Sequence, residues 1–309
     1  MSKSGKVCVG MVAYGRRMVL GLAVGAVSTF AFLGASLSVA QAQDTPTLYF
    51  SAIPDDDETR LMQRFAAVAD YLEAELGVPV EYVPVKDYAG SVVAFRNDQI
   101  QLGWFGGLSG VQARLAVPGS RALAQGEEDM TFVSYFIAHK DTGLEESDSF
   151  PMAAEGMTFT FGAQTSTSGR LFPDFHIREQ TGKAPDEFFS RVGFSGDHGQ
   201  TLRLVSTGAY QVGALNYTVY DTAVQENAPE VATTRVIWKT PPYPDYNWAI
   251  RGDVDARFGE GFADRVQAAL VGMTDPDLLA SFPRKAFVPA ANEDYEAILE
   301  TGRTLGLLD

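Results

Sequence analysis

The chain alternates between two hydrophobic rhythms, a period of two over short β-rich runs and a period near 3.6 over longer ones, and their order predicts the elements. Residues 47–53 are β-rich and alternate, a first strand. After Pro54, Leu61, Phe65, Val68, Leu72 and Leu76 recur at helical spacing until Gly77 stops them, and 78–85 reads as a second strand. Such a β-α-β start opens an α/β lobe. A helical stretch over 91–96, the turn Asn97-Asp98 and a strand over 100–105 closing on Gly106-Gly107 come next. The same plan recurs 110 positions later, with Asp197-His198, a helical stretch over 201–205, the turn Thr207-Gly208 and a strand over 210–215 ending at Asn216. In that register Tyr88 falls on His198, Gln101 on Gln211 and Gly103 on Gly213. Two lobes of similar plan are expected, each offering a residue ahead of a helix and the end of a strand to one place.

Two further strands, 132–139 and 236–239, read as crossings between the lobes. The second leads into Thr240-Pro241-Pro242-Tyr243-Pro244, where three prolines in four residues forbid a helix and stiffen the chain. A hinge is therefore expected near 138–140 and 240–244. Helical periodicity returns over 258–273, 276–282 and 293–305. The expected division is a leader over 1–42, lobe one over 43–138 and 241–309, and lobe two over 139–240.

The leader changes the picture of the whole. Lys3, Lys6, Arg16 and Arg17 precede an apolar run over 18–37, and Ala40-Gln41-Ala42 fits a small-x-small cleavage site, so a cleaved signal peptide is expected. Arg16-Arg17 leaves twin-arginine export open beside the general route. The only cysteine, Cys8, lies ahead of the apolar run, so the mature chain has neither a disulfide nor a lipid-bearing cysteine. Without the leader the 24 basic residues fall to 20 against 39 acidic ones, a net of −19, which makes nucleic acid and anionic membranes poor partners. No second apolar run of about 18 residues occurs. An exported, acidic, cysteine-free protein fits a bacterial periplasm.

A small anion is still an admissible ligand, because a closed site of N–H dipoles acts at short range while the outer field is screened within about 10 Å. The candidate place is Thr165-Ser166-Thr167-Ser168-Gly169, between the apolar run 157–163 and a helix-like pattern starting at Arg170. Ser166, Thr167 or Ser168 can cap that helix, and its first turn offers unpaired amides at the positive end of the dipole. Strand ends and helix N-termini share one edge of a parallel sheet, so Tyr88, Trp104-Phe105-Gly106-Gly107, His198 and Asn216-Tyr217 are expected beside it. Asp55-Asp56-Asp57-Glu58 complements the N-terminus of the first helix and requires no metal. No nucleophile elbow, phosphate-binding Gly-Lys-Ser loop, His-Glu-x-x-His helix or metal-spaced cysteine set is present, and the only histidines are His139, His176 and His198. A binding protein is expected, not an enzyme, with no metal and no cofactor.

On these residues the chain resembles the phosphonate/phosphite family of periplasmic binding proteins of ABC importers, over essentially all of the mature chain. The most specific part is Ser166-Thr167-Ser168-Gly169 followed by Phe172-Pro173, similar to the family's phosphonate-clasping motif; Asp87-Tyr88-Ala89, Trp104-Phe105-Gly106 and Ser195-Gly196-Asp197-His198 match in order. The resemblance implies a two-lobed α/β fold of type II hinged on two crossover strands, an inner-membrane permease as partner and a monomer. It also implies that Ser166, Thr167, Ser168 and His198 hold the oxyanion while Tyr88 and Trp104 close over it. Asn216 stands where aminophosphonate binders place an acidic residue, and the wording of the chain is similar to a branch labelled selenate-binding. Phosphonate, phosphite, selenate and sulfate-like anions all remain open. So do a receptor that reports an anion to a sensor kinase and a binder of a small organic sulfonate or thiamine precursor.

Overall fold

The computed structural model describes residues 45–54 and 58–308. The expected leader and three of the acidic residues, 55–57, lie outside the described residues. The chain opens with β1 (Leu48–Ala52), α1 (Glu58–Leu76), β2 (Val80–Tyr82), α2 (Tyr88–Arg96) and β3 (Leu102–Phe105). Gly77 ends α1 with φ 68, a conformation that favours glycine. β2 is shorter than the expected 78–85 because Pro79 and Pro84, which have no N–H to give a ladder, bracket it. Then come α3 (Gly107–Ala116), β4 (Arg121–Gly126), β5 (Ser134–His139), β6 (Thr158–Phe161), α4 (Phe172–Thr181), α5 (Pro185–Phe188) and β7 (Arg191–Phe194). The chain finishes through α6 (His198–Ser206), β8 (Val212–Asn216), α7 (Tyr217–Gln225), β9 (Thr234–Lys239), β10 (Asn247–Ile250), α8 (Val254–Phe258), α9 (Phe262–Val271), α10 (Pro276–Leu279), β11 (Phe287–Pro289) and α11 (Glu296–Thr304).

The strands form two sheets of related design. The first has the order β11-β4-β10-β3-β1-β2 and the second β7-β6-β8-β5-β9. In each, three parallel strands (β2, β1, β3 and β7, β6, β8) meet one antiparallel strand, β10 in the first sheet and β5 in the second. Those two antiparallel strands follow the segments that carry the chain from one sheet to the other. Each sheet has its own core: Leu48, Phe50, Phe105 and Trp248 are fully buried in the first, Phe136, Phe159, Phe161 and Ile177 in the second.

The crossings are laced together. Phe132 and Tyr243 exchange both backbone hydrogen bonds at 2.9 Å, Asp245 N–H donates to Asp129 O at 2.9 Å, and Ser134 N–H donates to the Thr240 hydroxyl at 2.9 Å. The chain changes sheet over 127–133 and 240–246, so the first change comes ahead of the expected 138–140. β5 is already a strand of the second sheet, because its successive residues pair with β8 from Ser134 to Ala138.

Candidate functional site

The 110-residue register has a structural counterpart at the helix starts. Asp87 caps α2 by accepting from Gly90 N–H at 2.7 Å, and Asp197 caps α6 by accepting from Gln200 N–H at 2.7 Å. Tyr88 and His198 are therefore the first residues of equivalent helices, and their rings meet edge to face at 6.4 Å. Both are buried.

Against His198 lies the serine-threonine turn. Ser166 is its cap: the hydroxyl accepts from Gly169 N–H at 3.0 Å, and the carbonyl accepts from Leu171 N–H at 3.0 Å, five residues on, which makes this a π turn leading into α4. The first-turn amides of Thr167 and Ser168 have no acceptor within such a helix. Gly169 allows a close approach, since a Cβ there would stand a tight 3.1 Å from the Gly162 backbone and 3.1 Å from the His198 ring. Ser168 carbonyl accepts from the Ser134 hydroxyl at 2.8 Å, and its side chain meets the Tyr243 phenol.

Thr167 reaches the other half. Its hydroxyl accepts from Leu108 N–H at 3.0 Å, in the first turn of α3, and donates to the Asp245 carboxylate. Asp245 Oδ1 also accepts from Gly107 N–H at 2.8 Å. Asp245 Oδ2 is buried and has no hydrogen-bond partner among the described residues. Burial pushes Asp245 up to about 7 against the hydrogen bonds that favour its charge. Sequence reasoning missed this residue. The amides and hydroxyls legible in the sequence are donors, and Asp245 adds a buried carboxyl oxygen that can accept. The available signal was an acidic residue between two tyrosines in a proline-stiffened crossing.

His198 is oriented by its neighbour. Nδ1 accepts from Asn216 N–H at 3.2 Å, which assigns the proton to Nε2, and Nε2 is buried without a partner among the described residues. Burial lowers the ring to about 4, so it is a neutral donor at pH 7.

Asn216 and Trp104 occupy a different position. The Asn216 carboxamide caps α7 by accepting from Thr218 N–H at 2.7 Å, and Nδ2 donates to the Tyr246 hydroxyl at 3.0 Å. Trp104 stacks on Tyr246 at 5.5 Å and packs against Trp248, Phe282 and Phe287. Under this aromatic group Arg284 and Asp129 form a buried bidentate pair, Nε to Oδ2 at 2.7 Å and Nη2 to Oδ1 at 2.6 Å. Burial opposes the Arg284 charge, but the Asp129 carboxylate more than offsets it and holds the guanidinium ionised. Two open clefts of about 520 Å³ each flank the polar cluster. One is bordered by Asn216, Trp104 and Tyr246, the other by Asp87, Gly196 and Asp197, and neither is lined by the serine-threonine turn, His198 or Asp245. His198 Nε2 and Asp245 Oδ2, buried and without a partner among the described residues, belong to the cluster that lines neither cleft.

Among the described residues no group of three or more His, Cys, Asp or Glu is placed to hold a metal ion, and no helix is long and apolar enough to cross a membrane. His139 accepts from Asp141 N–H at the end of β5, and His176 pairs with Glu179 in α4.

Residues 50–295 match the model of a family described as ABC transporter, phosphonate, periplasmic substrate-binding protein. The probable ABC transporter phosphite binding protein PhnD1 of Prochlorococcus marinus (strain MIT 9301) is 36% identical over 265 residues, covering 84% of this chain and 89% of that protein. The phosphonates-binding periplasmic protein of Escherichia coli (strain K12) is 26% identical over 218 residues, 69% of this chain and 63% of that one. The solved structure of Prochlorococcus marinus PhnD1 in complex with methylphosphonate matches with a TM-score of 0.80 at 37% identity, over 84% of this chain and 98% of that chain. A binding protein component of a Pseudomonas aeruginosa phosphonate transporter shares the fold, with a TM-score of 0.73 at 19% identity over 84% of this chain and 86% of that one. The architecture is the two-lobed fold of periplasmic binding proteins.

Proposed function

The chain belongs to the family of periplasmic substrate-binding proteins of phosphonate ABC transporters, and from that membership we propose that it captures a small tetrahedral phosphorus oxyanion, phosphite or methylphosphonate, in the buried cluster and hands it to the transporter's permease. It is a binding component and not an enzyme. In this reading the lobes follow the two sheets, with their joints at 127–133 and 240–246, and the protein acts as a monomer.

The reading is carried by one observation: a donor, His198 Nε2–H, and an acceptor, Asp245 Oδ2, are both buried without a hydrogen-bond partner among the described residues, beside the helix mouth opened by Ser166. A buried polar atom without a partner costs about 1–3 kcal/mol, so a site that leaves two such atoms is built for a guest that satisfies both. The amides of Thr167 and Ser168 and His198 Nε2–H receive the oxyanion, and Tyr88 closes over it from the other lobe. Asp245 accepts the remaining P–OH proton. Sulfate and selenate carry no proton at pH 7 and can pair only with the neutral form of Asp245, whereas an oxyanion that keeps a P–OH proton pairs with the ionised form; the relatives give selenate no support, and that branch is not carried forward. Asn216 is neutral, with both polar groups engaged, and offers an ammonium group no charge; aminoalkylphosphonates lose the counter-ion they need. Neither a sensory role nor an organic sulfonate or thiamine precursor draws support from the relatives.

Isothermal titration at pH 7 with phosphite, methylphosphonate, 2-aminoethylphosphonate and sulfate tests the reading. Phosphite or methylphosphonate is expected to bind on the order of 100-fold more tightly than sulfate, the cost of an unpaired buried charge. Equal affinity for sulfate would refute it.

A further inference from the structure

We propose that Ser134, at the head of β5, and Tyr243, in the second crossing, are positioning residues for the anion-binding turn: together they supply the donor that Pro173 withholds from the Ser168 carbonyl. The Thr167 and Ser168 amides are thereby held toward the ligand. This rests on reading that turn as the oxyanion site of the proposed function. In the π turn each carbonyl accepts from the amide five residues on, Ser166 from Leu171 N–H at 3.0 Å and Thr167 from Phe172 N–H. The next carbonyl in the series is that of Ser168, and its donor would be the amide of residue 173, a proline, which has none. Phe172 N–H is already taken. The buried Ser168 carbonyl must therefore be satisfied from outside the helix.

The donor comes from β5. Ser134, fully buried, gives its hydroxyl proton to Ser168 O at 2.8 Å. A serine hydroxyl has one proton and a carbonyl can only accept, so in the contact between the Ser134 and Tyr243 hydroxyls, 2.5 Å apart, Tyr243 is the donor. Tyr243 thus fixes the rotor of Ser134. Its ring also stacks on Phe172, the residue that follows the turn, at 3.9 Å and 23°. On another side the Gly169 carbonyl accepts from Gly162 N–H, just past β6, at 2.8 Å. Carbonyls and amides of a helical turn point to opposite ends, so a turn pinned by its carbonyls presents its free amides in a fixed direction. Binding groups need to be held within about 0.5 Å of their working geometry, and the two hydroxyls provide that restraint from the crossing side.

Isothermal titration with methylphosphonate, beside the unfolding temperature of the ligand-free protein, tests this on the intact protein, Ser134→Ala, Pro173→Ala and the double variant. Ser134→Ala is expected to weaken binding about tenfold. Pro173→Ala restores an amide at the place the Ser168 carbonyl lacks, so in that background the same serine substitution should cost less than about threefold. A role in stability alone would lower the unfolding temperature of Ser134→Ala and leave its affinity unchanged, which overturns the positioning role; so does an equal loss of affinity with and without Pro173. Tyr243→Phe keeps the ring on Phe172 and removes only the hydroxyl, and should weaken binding at least about threefold. It carries the test if Ser134→Ala does not fold, and an unchanged isotherm from it overturns the proposal. An intact protein that binds neither phosphite nor methylphosphonate overturns the functional reading and the positioning role with it.

Discussion

The helix after β3 and the helix after β8 hold equivalent places in the two halves, yet their N-termini are used in opposite ways. Gly106 opens α3 without a side chain, and the next two amides go to groups from elsewhere, Gly107 N–H to Asp245 at 2.8 Å and Leu108 N–H to Thr167 at 3.0 Å. Asn216 opens α7 and turns its own Oδ1 onto Thr218 N–H. The bare end of α3 recruits its acceptors from across the molecule, whereas at α7 the Asn216 Oδ1 already takes the Thr218 amide. The α3 terminus is thus spent on joining the halves, and the amides left for a ligand are those of the Ser166 turn. A Cβ at Gly107 would stand 2.1 Å from Ile298 Cδ1 and 3.4 Å from Thr167 Oγ1, so the bare end is also what permits the approach.

The largest test of that contrast is Asp245→Ala. It strips the Gly107 amide and the Thr167 hydroxyl of their partner and removes the ligand's acceptor; breaking a buried charge-assisted contact costs about 2–5 kcal/mol, so methylphosphonate affinity should fall on the order of 100-fold or more. An unchanged isotherm from a folded variant would show that the carboxylate does not serve the ligand. Thr167→Val keeps the shape but leaves Leu108 N–H without an acceptor, and should weaken binding about tenfold, with Thr167→Ser recovering most of it. If valine and serine behave alike, the bond between the halves has no part in binding.

The smallest effect is on the pH dependence of the ligand-free protein. His198, lowered to about 4 from 6.5, gives stability that is complete above 6.5 and is lost as pH falls toward 4. Asp245, raised to about 7 from 3.8, gives stability that is complete below 3.8 and is lost as pH rises through 7. The two slopes oppose each other between pH 4 and 7. The unfolding temperature of Asp245→Asn should therefore rise with pH across that window and that of His198→Gln should fall; slopes of the same sign in both would contradict the assignment.

Much of this was legible along the chain. The two rhythms mark the β-α-β openings, Gly77 marks the end of α1, and the register pairing Tyr88 with His198 follows from matched Asp-initiated helices. The first change of sheet comes earlier than the expected crossing because the run 132–139 has the same apolar character whichever sheet it joins. Trp104 reads as a strand-end aromatic; that it backs Tyr246 depends on β10 lying antiparallel beside β3. Asp245 has no periodic signal at all, and its meaning comes from an amide 138 positions away.

Side-chain rhythm, caps and turn glycines act within a few residues, so the order of residues settled the elements, the family motif and the turn that presents its amides to an anion. Which buried groups face one another is a matter of distance in space, and that depended on two crossing segments bringing Thr167 to Leu108 and Asp245 to Gly107. The proposed pairing of a donor with an acceptor for a protonated oxyanion arises from those long-range approaches, because the burial of His198 Nε2 and Asp245 Oδ2 exists only in the assembled fold.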